Sequence, residues 1–550
     1  MAAETGVADT GEASVPATVQ QVLAARIDRL SADQKAAIQL AAVLGREFPL
    51  DLAEEVWDGD VSLAERFQEL KALEFVRERY GLPDRVFVFK HALTREVAYD
   101  SLLHARRREL HGRVGAALED SEASQGFERS ELLGYHYSRS AEPARAIPHL
   151  AAAGDRARDR YANEEAAALY RRAIGLLEEL PGGRQPDVYG AICQGLGVVL
   201  ERLSRYDAAI DAYQKALGVA SDPFQRAHLH VLCSEAETAA HRHQEALAQC
   251  DLAEQALGPA SDAPGSRWLS SWLAVQGSRM EALYWLNDTE GHARLIERVR
   301  PLVETHGSAE QRASFFVSIV QLSFRRDRYL VADETLEFAR AASAAVQEVA
   351  PSPWWWSGFT LGFTLLFHGD LDEATAVLRE SLEEGERQGD AGTRARSLTY
   401  LMVADRKRGD VDAVREAIGS VIERAREASL PEYEAMAIAN RAWVAWRMGE
   451  EEAAATDAAA ALEMWKRLPV RYFFDWMALW PLVAMALASG RVEAAAEYAR
   501  RMLPPPQQLL QEPARTLVDR AVHAWDAGMQ AETEQLLGRA VRSAGGLGYL

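Results

Sequence analysis

The sequence predicts an all-α chain, a small domain of helices interrupted by a β-hairpin and then a right-handed solenoid of about ten helical pairs. Three observations carry this. Apolar residues keep a helical period along most of the chain, and the departure from it is a pair of β-rich runs on either side of residue 82. From about residue 129 to the end a unit of roughly 40 residues recurs.

Composition agrees with a folded chain. Of 550 residues 48% are hydrophobic, 26% are charged and only 20 are proline. The balance of 61 Lys+Arg against 82 Asp+Glu gives −21, which argues against nucleic acid or an anionic membrane as the main partner. Three cysteines, Cys193, Cys233 and Cys250, are too sparse for a disulfide framework, and a reducing cytoplasm is the expectation. Neither a signal peptide nor an apolar run long enough to span a membrane is seen.

Residues 1–14 read as a disordered leader. Val19, Val22, Leu23, Ile27 and Leu30 then fit one helical face, and Ser31 is placed to cap a helix over Ala32–Leu44. Gly45 to Pro49 break that helix, and two more are expected at about 50–57 and 61–73. Phe75 to Arg79 and Arg85 to Phe89 are the β-rich runs, joined by a turn at Tyr80-Gly81-Leu82-Pro83-Asp84. Helix resumes at His91 and runs toward Leu118.

Helices, a hairpin and a helix in about 100 residues outline a winged-helix domain over 15–120, whose shape does not settle its function. Arg106-Arg107-Arg108 could meet phosphates or form a solvated face. The helix at 61–73 carries Glu65, Arg66, Glu69 and Lys71, which is not a basic reading face.

The array is expected over 129–550. Its clearest unit has Leu196, Gly197, Leu200, Tyr206, Ala209, Tyr213 and Ala216, matching the spacing of a tetratricopeptide repeat. Aligned on the small residue opening each second helix, the units give Ala166, Ala209, Ala246, Ala293, Ala332, Ala374, Val414, Ala454, Ala495 and Thr533. Glycines at 369, 409, 449, 490 and 528 fall at nearly the same phase, at the turn between paired helices in five of the units. Arrays of this kind expose a long concave surface, their usual place for binding.

Val15-Pro16-Ala17-Thr18-Val19-Gln20, Leu23-Ala24-Ala25-Arg26-Ile27-Asp28-Arg29-Leu30, Ala41-Ala42-Val43-Leu44-Gly45-Arg46-Glu47-Phe48, and Phe89-Lys90-His91-Ala92-Leu93 with Glu96-Val97-Ala98-Tyr99 together resemble one class of protein. It is the winged-helix region that follows the nucleotide-binding domain in bacterial signal-transduction ATPases of the STAND class. In many relatives a class III adenylate or guanylate cyclase, a kinase or a DNA-binding effector is attached, and tetratricopeptide repeats follow. The resemblance implies that His91 sits where a histidine contacts the phosphates of bound ADP and holds the molecule closed.

This chain has six lysines, at 35, 71, 90, 215, 407 and 466, and none follows glycine, so it has no standard phosphate-cradling P-loop. ATP or ADP would enter only through a separate ATPase domain in trans. Whether the chain is a split product, a truncated one or a partner that lost its ATPase stays open.

No other cofactor or catalytic group is expected. His228, His230, Cys233, His241, His243 and Cys250 have metal-ligand chemistry but not metal-ligand spacing. Trp354, Trp355 and Trp356 begin one first helix, Trp443 and Trp446 lie in another and Trp476 and Trp480 in a third, and all are candidates for an aromatic ligand groove. Packing between repeats is their competing role.

The reading is a non-catalytic regulatory module that binds a protein or small-molecule signal on its concave surface. The alternatives are a stand-alone tetratricopeptide interaction scaffold and, third, a winged-helix transcription regulator.

Overall fold

The computed structural model describes residues 17–79, 85–120, 127–179, 185–259, 267–347 and 355–550. By its contacts the chain divides into two compact units, one of Met1–Arg156 with Ala168–Gln185, the other of Ala157–Ala167 with Pro186–Leu550.

The first unit opens with α1 (Ala17–Asp28), α2 (Ala32–Leu44), β1 (Glu47–Pro49), α3 (Leu50–Val56) and α4 (Leu63–Ala72). It continues with β2 (Val76–Arg79), β3 (Val86–Phe89), α5 (Ala92–Asp100), α6 (His104–Asp120) and α7 (Phe127–Tyr137). Ser31 caps α2 in a reciprocal capping box with Gln34, which accounts for the sharp start of that helix. The three strands form an antiparallel sheet in the order β1-β3-β2, with Phe48 opposite Phe87 and Val76 opposite Phe89. Helices and a three-stranded sheet in this order fit the winged-helix outline.

Two details differ from expectation. Glu47 to Pro49, read as a mere break, add a third strand, because Phe48 alternates inward and packs 5.2 Å from Phe67. The helix expected from His91 toward Leu118 is interrupted at Ser101–Leu103, with Arg107 reaching back to the Tyr99 carbonyl.

The basic run is engaged inside the unit. Arg106 pairs with Asp58 and Glu109, Arg107 lies over the Tyr99 ring, and Arg108 donates to the Ser140 carbonyl. On α4, Arg66 pairs with Glu69, and Lys71 pairs with Glu78 of β2. Phosphate contacts would have to compete with these bonds.

After a 3₁₀ turn at Pro143–Arg145 come α8 (Ala146–Asp159) and α9 (Asn163–Glu179), a helical pair shared between the two units. Among the described residues the second unit then holds nine pairs: α10 (Pro186–Arg202) with α11 (Tyr206–Leu217), α12 (Pro223–Ala239) with α13 (His243–Leu257), and α14 (Arg267–Trp285) with α15 (Thr289–His306). Next are α16 (Ala309–Arg326) with α17 (Asp333–Gln347), α18 (Trp355–His368) with α19 (Leu371–Gln388), and α20 (Ala391–Arg408) with α21 (Val411–Glu427). The last are α22 (Pro431–Arg447) with α23 (Glu451–Lys466), α24 (Trp476–Ala488) with α25 (Val492–Arg501), and α26 (Ala514–Asp526) with α27 (Gln530–Gly546). This is a tetratricopeptide-type α-solenoid.

The column of small residues has a physical cause. Ala166, Ala209, Ala246, Ala374, Val414, Ala454, Ala495 and Thr533 are each the fourth residue of a second helix, and each is fully buried. In the Ala293 unit the buried fourth residue is instead His292, one position earlier. Ala332 is exposed and precedes α17, whose buried residues begin at Thr335. The paired glycines of first helices answer large side chains of second helices. A Cβ on Gly197 would collide with the Tyr213 ring, and one on Gly362 would come within 2.8 Å of Leu378 Cγ.

Candidate functional site: an aromatic cavity inside the repeat array

Within the second unit the array winds back on itself. Asn163 at the head of α9 donates through Nδ2 to the Gln388 carbonyl at 3.0 Å, 225 residues away. Arg328, between α16 and α17, donates to the carbonyls of Gln507 and Leu503 at 2.7 and 2.8 Å. Arg406 on α20, fully buried, donates to the carbonyls of Met477 and Tyr549 at 2.9 Å each. Such bonds hold residues of distant repeats against one another.

Where these repeats meet there is a cavity of about 60 Å³, lined mostly by rings. Successive first helices supply them at matching phase: Trp285 from α14, Phe324 from α16, Phe359 and Phe363 from α18, Tyr400 from α20 and Tyr433 from α22. Tyr329 enters from the turn after α16, and Tyr472, Phe473 and Phe474 from the segment before α24. The rings brace one another edge to face, Phe363 with Tyr400 at 4.7 Å and Tyr400 with Tyr433 at 5.9 Å. Burial pushes the Tyr329 and Tyr400 hydroxyls well above their usual range, so they stay protonated donors.

A few polar groups interrupt the rings. The carboxylate of Glu281 accepts from Trp285 Nε1 at 2.7 Å and from Gln321 Nε2 at 2.6 Å. Arg325, buried behind the wall, has its guanidinium carbon 3.9 Å from the Tyr284 ring centre and 3.7 Å from that of Phe473. It also donates to the Tyr329 hydroxyl at 2.5 Å and to the Tyr284 carbonyl at 3.1 Å. Glu432, 5% exposed, lines the cavity; its Oε2 stands 3.5 Å from His241 Nε2, and neither atom has a hydrogen-bond partner. Gln321 Oε1 is likewise buried and unpartnered.

Carboxylates continue along the preceding first helices. Enclosure by protein pushes the Glu201 carboxyl up to about 7, against the lowering effect of a hydrogen bond from the Tyr213 hydroxyl. Glu235 is open to water but surrounded by the array, and this enclosure, together with the charges of Glu201 and Glu281, pushes it up to about 8.

The named tryptophans whose side chains are described lie elsewhere. Trp443, Trp476 and Trp480 are in the core with at most 1% of their surface exposed, and the first two flank Arg406 at 5.4 and 5.1 Å. Trp446 is half-buried against the same core. Trp354 and the side chains of Trp355 and Trp356 fall outside the described residues. His91 caps the head of α5 by position, yet its exposed side chain makes no capping hydrogen bond. Cys233 and Cys250 are buried, with Ser234 Oγ 3.3 Å from Cys250 Sγ, and no group of metal-ligating side chains converges among the described residues. No helix among them is long and apolar enough to cross a membrane.

Two hints of the cavity can be seen in the sequence: the aromatic triplet Tyr472-Phe473-Phe474, and aromatics recurring on α18, α20 and α22. The sequence hid the meeting of these segments with Tyr329 and Glu432, which only the winding brings about.

A tetratricopeptide-repeat family pattern matches residues 191–223, the pair of α10 and α11. A search of curated proteins finds no match. Among solved structures, a STAND protein with a tetratricopeptide repeat sensor from Pyrococcus horikoshii is 10% identical, with a TM-score of 0.40 over 84% of this chain. This chain spans 66% of that protein's length. A Rap protein complexed with competence and sporulation factor is 12% identical, with a TM-score of 0.44 over 69% of this chain and 99% of its own. The hetero-tetramer Cut9-Hcn1 of the APC/C gives 14%, 0.35, 80% and 94% for the same quantities. These are faint likenesses, and the chain's character as a tetratricopeptide array follows from its own helical pairs and the matched repeat.

Proposed function

We propose that this chain is a non-catalytic sensing module. Its repeat array takes a protein segment or small-molecule signal on the inner face, and its winged-helix unit passes that occupancy to a STAND-type signalling ATPase supplied in trans. The observation that carries the reading is the cavity, where rings from five repeats converge around buried polar atoms that lack partners. Leaving such atoms unpaired costs about 1–3 kcal/mol each, a penalty that a bound group would relieve. A ligand bound more tightly in one arrangement of the array than in another shifts the balance between them by that difference.

The ATPase part of the proposal rests on the resemblance over 15–120 and on His91. An exposed imidazole at the head of α5, not spent on capping, is free to meet a phosphate on another domain. ATP or ADP would be held by that other domain, with His91 as this chain's contribution. The test is reconstitution with a P-loop ATPase encoded beside this gene. The expected result is a complex whose ADP affinity falls when His91→Ala is introduced. An unchanged affinity removes the latch. Absence of any complex, with peptide ligands still bound, turns the reading to a stand-alone scaffold.

A further inference from the structure

We infer that the cavity receives a cationic side chain, a guanidinium or ammonium group, carried by the segment that occupies the array; this rests on the sensing reading above. The first ground is hydrogen-bond bookkeeping at the wall. Glu432 Oε2 and Gln321 Oε1 are acceptors without a hydrogen-bond partner, on side chains only 5% and 6% exposed. Three donors of the wall are spent elsewhere, Trp285 Nε1 and Gln321 Nε2 on Glu281 and the Tyr472 hydroxyl on Met436 Sδ at 2.7 Å. What Glu432 Oε2 and Gln321 Oε1 can take is a donor.

The second ground is charge and ring chemistry. Glu281 is held by two neutral donors, which orient its carboxylate without cancelling its charge. Faces of Tyr and Phe attract cations, most strongly where water is excluded. The wall already displays that chemistry once, in Arg325 stacked between the rings of Tyr284 and Phe473. Arg325 and the nearby Arg396 add positive charge, which disfavours a fully hydrated ion and leaves the advantage to a group that gains from the rings as well.

The third ground is size. A space of about 60 Å³ holds roughly two waters' worth of volume, enough for the tip of one side chain and not for a whole ligand. The rest of the segment would continue along the first helices past Glu281 toward Glu235 on α12 and Glu201 on α10, carboxyls that would favour further basic residues.

The experiment selects phage-displayed random peptides on the full chain and measures synthetic copies of the winners by calorimetry. Selected peptides are expected to carry Arg or Lys beside an aromatic or aliphatic residue. Replacing that Arg by citrulline, or that Lys by acetyl-lysine, should weaken binding about tenfold or more, and Glu432→Gln should do the same. The uncharged peptide leaves the protein intact, so this arm decides even where Glu432→Gln lowers stability. Peptides that bind the inner face with no loss on citrulline replacement overturn the cationic site and leave the sensing reading standing. Failure to select any inner-face peptide overturns the cationic site together with the protein-segment form of that reading.

Discussion

The turns inside the helical pairs divide the array into two halves that solve one problem differently. Every turn contains a residue with positive φ. In the last five pairs it is glycine, at 369, 409, 449, 490 and 528; in the first five it is Tyr161, Ser204, His241, Asn287 and the pair Arg328-Tyr329. A left-handed backbone costs a side-chain-bearing residue roughly 1 kcal/mol or more, so the first half carries strain that the second avoids. Four of its turn side chains have work that explains this. The Tyr161 ring lies under Arg202, His241 faces Glu432, Arg328 bonds to Leu503 and Gln507, and Tyr329 packs 4.8 Å from Phe474. Three of these contacts, those of His241, Arg328 and Tyr329, reach across the winding. Asn287 is exposed, and asparagine is among the residues that tolerate this backbone best. The last five turns use glycine, whereas His241, Arg328 and Tyr329 are turn residues whose side chains also hold the winding together.

The contrast breaks most visibly at Tyr329. Tyr329→Ala removes a buried ring that touches Phe324, Phe363, Phe367, Phe473 and Phe474, and a loss of about 3–5 kcal/mol is expected. Tyr329→Gly removes the same ring but relieves the backbone, so it should be about 1 kcal/mol more stable than the alanine variant. Urea midpoints of the two variants measure the difference. Alanine equal to or better than glycine would show that position 329 carries no backbone strain.

Arg328 gives a smaller, more local effect. Its guanidinium holds two carbonyls of the segment between α25 and α26, and its own carbonyl accepts from Leu509 N at 2.8 Å. Arg328→Met keeps the stem and deletes the donors, at a cost of about 2 kcal/mol. Hydrogen exchange should speed up at residues 503–510 and stay unchanged in α19 to α21. A uniform change along the array would mean that the bonds across the winding are not local clasps.

These contacts also mark the limit of what the sequence discloses. The repeat was legible because in eight second helices the buried fourth residue is small, a feature that recurs at a nearly fixed period. The glycine turns were legible because glycine alone adopts positive φ without cost. The strained turns were not, since Tyr161, His241 and Tyr329 look like ordinary aromatic or polar residues in one dimension. Nothing in the sequence sets Glu432 apart from the many other glutamates of these helices. Its meaning depends on His241, 191 positions earlier, and no local period encodes a pairing at that range. The tryptophans misdirected attention for a related reason: a large ring on a first helix serves the core as readily as a groove, and Trp443, Trp476 and Trp480 sit around and beyond Arg406.

The smallest effect sharpens the comparison most. At Gly449, with φ +80°, an added Cβ would meet no atom within 4 Å, so Gly449→Ala tests backbone conformation with packing held constant. A loss of about 1 kcal/mol is expected, since the left-handed cost outweighs the entropy that alanine removes from the unfolded chain. The mirror variant is Asn287→Gly in the first half, at φ +58°, which should be neutral or stabilising by a few tenths of a kcal/mol. If Gly449→Ala costs nothing in thermal or urea unfolding, conformation does not explain why the last five turns use glycine. If it costs as expected while Asn287→Gly is destabilising, the exposed Asn287 side chain must have a partner in the first half's work, as His241 and Tyr329 do.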